Sequence, residues 1–102
     1  MKMIIMFDFP TETATDRKKY RIFHDILKKE GFTMIQYSIY TRTYPNKDSA
    51  DYAQLRLERY IQQNGKIRIL IITENQYLKM KILEPTINVK EKLLNQKDFI
   101  KI

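Results

Sequence analysis

Phe32-Thr33-Met34-Ile35-Gln36-Tyr37-Ser38-Ile39-Tyr40-Thr41-Arg42-Thr43-Tyr44 decides the fold of this chain. The stretch is rich in Ile, Thr, Tyr and Phe, whose branched or aromatic side chains suit a pleated backbone, so it reads as extended. At about thirteen residues it is long for one strand. A bend or bulge near Gln36 to Ser38 is therefore expected. Folded back there, the stretch supplies two strands.

Upstream of it, Met1 to Phe9 is nearly continuous in apolar residues, as a strand buried on both faces should be, and Pro10 ends it. Thr11 or Thr13 can cap a helix whose first turn holds Asp16, and Gly31 supplies a natural stop. Tyr20, Phe23, Ile26 and Leu27 form that helix's apolar stripe, while Arg17, Lys18, Arg21, Lys28 and Lys29 fall mainly elsewhere. Downstream, Pro45 to Ser49 reads as a loop with Asp48 and Ser49 as caps. A second helix is expected to run to Asn64, with Ala53, Leu57, Tyr60 and Ile61 inward and Gly65 closing it. Lys66 to Thr73 reads as a strand with Ile67, Ile69 and Ile71 on one side and Arg68, Leu70 and Ile72 on the other. A short helical turn is expected over Glu74 to Met80, and a short final strand at Asp98 to Ile102.

The resulting order is the βαββαβ plan of a ferredoxin-like α+β domain, a two-layer sandwich with an extra C-terminal strand. Residues 1–80 form the expected core, and residues 81–102 an extension that forms an interface. Two helices can cover one face of a four-stranded sheet but not both. In the first strand Met1, Met3, Ile5 and Phe7 point one way, and Ile4, Met6 and Asp8 the other. Leaving the second face wet would cost about 25 cal/mol for every Å² of apolar surface that could be buried. A second copy of the chain around a twofold axis is the most economical cover, so a homodimer is expected. The chain's own tail, Lys81 to Ile102, is the alternative.

Composition narrows the function. The chain has 102 residues, enough for one domain, and 19 Lys plus Arg against 12 Asp plus Glu give it a net charge of +7. That balance, with an isoelectric point near 9.6, favours a polyanionic partner such as nucleic acid. With no Cys, disulfides, thiolate zinc sites and Cys nucleophiles are excluded, and the single histidine, His24, excludes a multi-His metal cluster within one chain. No run of about 18 apolar residues is present, and the amino-terminal stretch lacks the parts of a signal peptide. A soluble intracellular domain without a membrane partner is the expectation.

Asp8 is the most informative carboxylate. It stands at the carboxyl end of the first strand, where an α/β sheet usually presents its site, and on the face assigned to the second copy. A nearby twofold axis would bring two Asp8 groups together, to repel, to share a proton or to bind a cation. Magnesium suits such a pair, being held by one or two carboxylates and several waters, and it would support attack on a phosphodiester. An Asp-Phe-Pro turn residue is the plainer alternative. Glu12 and Asp16 could join Asp8, although acids in a helix's first turn commonly serve the dipole. His24 reads as a helix-surface or interface histidine, and Ser38 has no base beside it to make it a nucleophile. Arg17, Lys18, Lys19 and Arg21, with Arg42, Arg56, Arg59, Lys66 and Arg68, supply a candidate phosphate-binding ridge. No Gly-aromatic motif of the RNP type is present, so base stacking in the RRM manner is not expected.

Three runs of residues carry a resemblance. They are Met3-Ile4-Ile5-Met6-Phe7-Asp8-Phe9-Pro10 with Arg17 in Asp16-Arg17-Lys18-Lys19-Tyr20-Arg21, then Gly31-Phe32 leading into Gln36-Tyr37-Ser38-Ile39-Tyr40, and Ile72-Thr73-Glu74-Asn75-Gln76-Tyr77. At these spacings the chain resembles the CRISPR-associated protein two family, the small partner in bacterial and archaeal spacer acquisition, and the last run looks like the branch found beside a single large effector nuclease. The resemblance implies a ferredoxin-like homodimer in the prokaryotic cytoplasm, described as a magnesium-dependent endoribonuclease. It also implies a protein that bridges dimers of the integrase partner and holds double-stranded DNA being inserted as a spacer. Carried over residue by residue, Asp8 is the metal-binding and catalytic position. Arg17 with its neighbours Lys18 and Arg21 is the basic helix, Gln36 and Ser38 are supporting positions, and Asp98 to Ile102 is the strand that pairs with the other protomer. Arg42 joins the nucleic-acid set from the charge pattern. Three readings compete: a metal-dependent nuclease acting on RNA or DNA, a non-catalytic DNA-binding scaffold of the integration complex, and a generic RNA-binding ferredoxin-like module.

Overall fold

The computed structural model describes residues 1–60 and 65–85. Among them run β1 (Lys2–Asp8), α1 (Ala14–Lys29), β2 (Thr33–Gln36), β3 (Ile39–Thr43), α2 (Lys47–Glu58), β4 (Lys66–Ile72) and α3 (Glu74–Leu78). The long aromatic and β-branched stretch does divide. Met34 pairs with Tyr40 and Gln36 with Ile39, so Ile35 is an extra residue that bulges from β2. Tyr37 and Ser38 make the turn between the strands, and Ser38 takes a left-handed backbone with φ 62°.

Local chemistry sets the helix starts. Thr13, not Thr11, caps α1. Its hydroxyl accepts the Asp16 N–H at 3.0 Å, and the Asp16 carboxylate accepts the Thr13 N–H at 3.2 Å, a reciprocal capping box. At the far end Gly31 adopts φ 87° and its N–H donates to the Lys28 carbonyl, ending the helix where expected. The second helix begins earlier than the sequence suggests. Asn46, extended at φ −155°, is its cap and accepts the Ser49 N–H at 2.8 Å, which places Asp48 and Ser49 inside the first turn. The regular helix closes at Glu58, and the Arg59 and Tyr60 N–H groups donate back three residues in a tighter turn. Ala53 and Leu57 are buried as read, but Tyr60 is exposed. The helix end expected near Asn64, and Ile61 with it, lie outside the described residues.

The sheet order is β2-β3-β1-β4, with every neighbouring pair antiparallel. This is the ferredoxin-like arrangement, and it seats β1 between β3 and β4. Met3, Ile5 and Phe7 of β1 pack with Phe23 and Leu27 of α1 and Ala50, Ala53 and Leu57 of α2 in one core cluster. Ile67, Ile69 and Ile71 of β4 flank that cluster, as their alternation requires. Phe7 is the hub of an aromatic group, with ring centroids 4.9 Å from Phe23, 5.3 Å from Phe9, 5.4 Å from Tyr20 and 5.7 Å from Tyr40.

The opposite face receives neither α1 nor α2. It presents Lys2, Ile4, Met6 and Asp8 of β1 beside Ile72, Leu70, Arg68 and Lys66 of β4. Lys2 on this face reaches Glu74 at 3.9 Å and lies 4.8 Å from the centre of the Tyr77 ring, so α3 stands at its margin. The final strand expected at Asp98 to Ile102, and the interface role given to it, lie outside the described residues.

Gly65, just before β4, has no room for a side chain: a Cβ there would lie 2.1 Å from Cδ1 of Phe9, whose ring is buried. We expect Gly65→Ala to cost about 1–3 kcal/mol through forced repacking. The urea unfolding midpoint checks it, and an unchanged midpoint would mean that the ring moves aside freely.

Candidate functional site

The end of β1 gathers most of the residues singled out above. Asp8 closes the strand, is exposed, and shares the helix-free face with Ile4 and Met6. The residue before it, Phe7, donates its N–H to the Ser38 carbonyl at 3.1 Å. Gln36, at the end of β2, is exposed beside the same turn. The Ser38 hydroxyl and the Tyr20 phenol share a hydrogen bond at 3.2 Å, which ties that turn to α1. Asp8, Gln36 and Ser38 thus belong to one end of the sheet.

The basic residues separate into two groups. Arg17, Lys18 and Arg21 are exposed on the first half of α1. Arg17 Nη1 donates to the carbonyls of Thr11 and Glu12, both at 3.2 Å, and so braces the loop that follows Asp8. Arg42 lies on β3 and is engaged with the chain itself: its guanidinium donates to the Glu30 carbonyl, and its Cζ is 4.6 Å from the Tyr44 ring centre. Glu30 also pairs with Arg56 at 3.1 Å. This network clasps the end of α1 to β3 and α2, and it gives Arg42 a structural task that a charge count does not reveal.

Asp16 is spent on the Thr13 cap. His24 turns its Nδ1 to the buried Tyr40 hydroxyl. Burial pushes the Tyr40 phenol above its ordinary value, with neighbouring tyrosines adding to the shift. Sequence reasoning missed Tyr37. It is 70% exposed and stacks on Tyr20 with centroids 5.8 Å apart and planes at 17°. Its only sequence signal was its place in the predicted bend.

Among the described residues, no three His, Asp or Glu side chains gather where they could hold a metal. One hard oxygen donor per chain still fits magnesium, which keeps most of its waters and takes one or two carboxylates. The residue directly across from Asp8 works against a cation: Lys66 of β4 is its register partner, and Arg68 faces Met6. Cross-strand partners have Cβ atoms about 4.5–5.5 Å apart, so a cationic side chain rises from the position beside that carboxylate, although the two form no ion pair among the described residues. On the metal-binding expectation for Asp8, Lys66→Met should lower the magnesium concentration needed for half-saturation by roughly 2- to 10-fold, as removal of one nearby, partly screened charge should. A magnesium titration reads it directly, and a weaker metal response would show that Lys66 supports the site.

The sheet order and the placement of both helices define a ferredoxin-like domain, a class that hosts many functions. Relatives narrow the class. A family model described as CRISPR associated protein Cas2 matches residues 1–80. A CRISPR-associated endoribonuclease Cas2 from Ligilactobacillus salivarius is 46% identical over 83 residues, covering 81% of this chain and 82% of that protein. The same-named protein of Lacticaseibacillus rhamnosus is 42% identical over 86 residues, covering 84% and 85%. That of Acidovorax ebreus is 35% identical over 95 residues, covering 93% of each. The crystal structure of Streptococcus pyogenes Cas2 at pH 6.5 matches with a TM-score of 0.63 at 20% identity, over 82% of this chain and all of that one, a likeness of fold. The chain belongs to the CRISPR-associated Cas2 family.

Proposed function

We propose that the chain is an adaptation protein of a CRISPR system: a homodimeric, magnesium-dependent endonuclease that hydrolyses phosphodiesters and also holds duplex DNA beside the integrase during spacer integration. The single observation that carries the catalytic part is Asp8, exposed at the end of the central strand on the face that α1 and α2 leave uncovered. The relatives named endoribonucleases support the reaction class.

The accessible apolar part of that face, Met6, Leu70 and Ile72, is the surface that a second copy would bury, Ile4 being buried already within the chain. Two Asp8 carboxylates, one from each copy, would then hold the ion. Bound there, magnesium would neutralise phosphate oxygens and make a water nucleophilic at neutral pH. The chain's own groups do the rest: Arg17, Lys18 and Arg21 draw the phosphate backbone to the first turns of α1. Arg17 also fixes the loop after Asp8, and the Ser38–Tyr20 bond holds Gln36 and the β2–β3 turn beside it.

The test pairs sedimentation velocity with cleavage of labelled single-stranded RNA and duplex DNA by the full chain. We expect a dimer at micromolar concentration, cleavage reduced to background by EDTA, and recovery on adding magnesium. A monomer at that concentration, or cleavage indifferent to EDTA, overturns the paired-carboxylate reading. The scaffold reading is favoured by the lack, among the described residues, of any three acidic or histidine side chains gathered to hold a metal, and by the basic first helix, and the Asp8 substitution below separates the two.

A further inference from the structure

Beside the end of β1 lies a cleft of about 470 Å³, walled by Arg17, Tyr20, Arg21, His24, Met34 and Tyr37 and opening at Thr11. Its size falls in the range of small-ligand sites. One wall is a platform: Tyr37 rests on Tyr20, and Tyr20 is fixed by Ser38 and by the ring of Phe7 in the core. A ring 70% exposed in water, backed on one face by a second ring, offers its other face to a flat partner. Arg17 and Arg21, one helical turn apart, line the same cleft and bring two cations to it. Tyr37 carries no charge to repel an anion, since a phenol is protonated at neutral pH.

A flat aromatic face and a pair of arginines in a cleft of this volume match a base and its phosphate. We infer that this cleft is a subsite for one unpaired nucleotide of a single-stranded nucleic acid, with the base on the exposed face of Tyr37 and the phosphate between Arg17 and Arg21. A paired base in a duplex keeps its faces covered by its neighbours, so the subsite selects strands with a free base. The subsite adjoins the proposed cleavage position: Thr11 is three residues beyond Asp8, a span of at most about 11 Å. Phe7 and Ser38, the chain neighbours of Asp8 and Tyr37, are joined by a backbone hydrogen bond. The inference rests on the nuclease reading for its biological use and deepens it by naming the side chains that hold one nucleotide of the substrate.

The experiment measures binding with EDTA present, so that cleavage plays no part. Fluorescence anisotropy is read for a labelled ten-nucleotide single strand, in ribo and deoxyribo forms, and for a blunt duplex of equal length, against the full chain. Tyr37→Leu is expected to weaken single-strand binding roughly 5- to 100-fold, the range for loss of one stacked base, and duplex binding less than about twofold. Tyr37→Phe keeps the ring and should bind like the parent. Arg21→Gln should weaken binding and flatten its salt dependence by about one counterion. Unequal losses for the ribo and deoxyribo strands would identify the sugar that the subsite accepts. Equal losses on strand and duplex, or none on the strand, overturn the inference. Should Tyr37→Leu unfold the chain, Tyr37→Gln, which removes the ring at this exposed turn position, is read in its place against the same outcomes. The two readings fail separately: a stacking loss with no magnesium-dependent cleavage keeps the subsite and removes the nuclease, and the reverse result does the opposite.

Discussion

On the proposed nuclease reading, replacing Asp8 with Asn is expected to lower magnesium-dependent cleavage by at least about 100-fold and to leave duplex binding within about twofold. The substitution keeps the shape of the side chain and removes only its charge. Asp8 is exposed and is held by no core contact, so the fold has little to lose. On that reading chemistry has much to lose, since the carboxylate would hold the ion that stabilises developing charge, a contribution typically worth 10²–10³ in rate. Binding follows a different set of residues. Duplex affinity comes from Lys and Arg neutralising phosphates, and losing one negative charge from a chain of net +7 can only favour it slightly. The measurement is cleavage of labelled RNA and DNA by rigorously purified parent and variant, beside a duplex binding curve and a thermal melt. Cleavage that survives at parental rate removes Asp8 from the chemistry and leaves the scaffold reading in possession.

Phe7→Ala is expected to destabilise the chain by about 3–5 kcal/mol. Phe7 is 5% exposed and touches four other aromatic rings, so truncation leaves a cavity that rigid ring neighbours cannot close. A chain of this size has only about 5–15 kcal/mol in total. A urea titration should therefore show a much lower midpoint or no folded baseline. The loss would also reach the site, because the Phe7 ring seats Tyr20, whose phenol bonds the Ser38 hydroxyl. A cost below about 1 kcal/mol would show that the aromatic group is not what carries the core.

Much of this was legible from residue types and spacing. Strict alternation put Met3, Ile5 and Phe7 on one face and Asp8 on the other, because a strand has a period of two whatever surrounds it. The hairpin bend near Ser38 was readable because a strand that long rarely stays straight, and Gly31 marked the end of α1 through its tolerance of positive φ. The start of α2 was harder. Asn46, Asp48 and Ser49 are all good caps, and only the backbone shows that Asn46 is extended while the other two are already helical. Arg42 and Tyr37 escaped for a common reason. What each does depends on a partner from another element, Glu30 for one and Tyr20 for the other, and no local pattern records which side chains tertiary packing will bring together.

The position of β4 has a consequence of its own. Among the described residues it has a sheet neighbour on one side only, and it reads Lys-Ile-Arg-Ile-Leu-Ile-Ile over seven residues. Its outer margin is a ladder of amide donors and carbonyl acceptors on an isoleucine-rich strand, which is a template for docking one more strand. Lys66 and Arg68 act as gatekeepers at the end nearer Asp8, whereas the end from Ile69 to Ile72 carries no charge. Whatever caps that uncharged half sets how well the protein resists aggregation in concentrated solution.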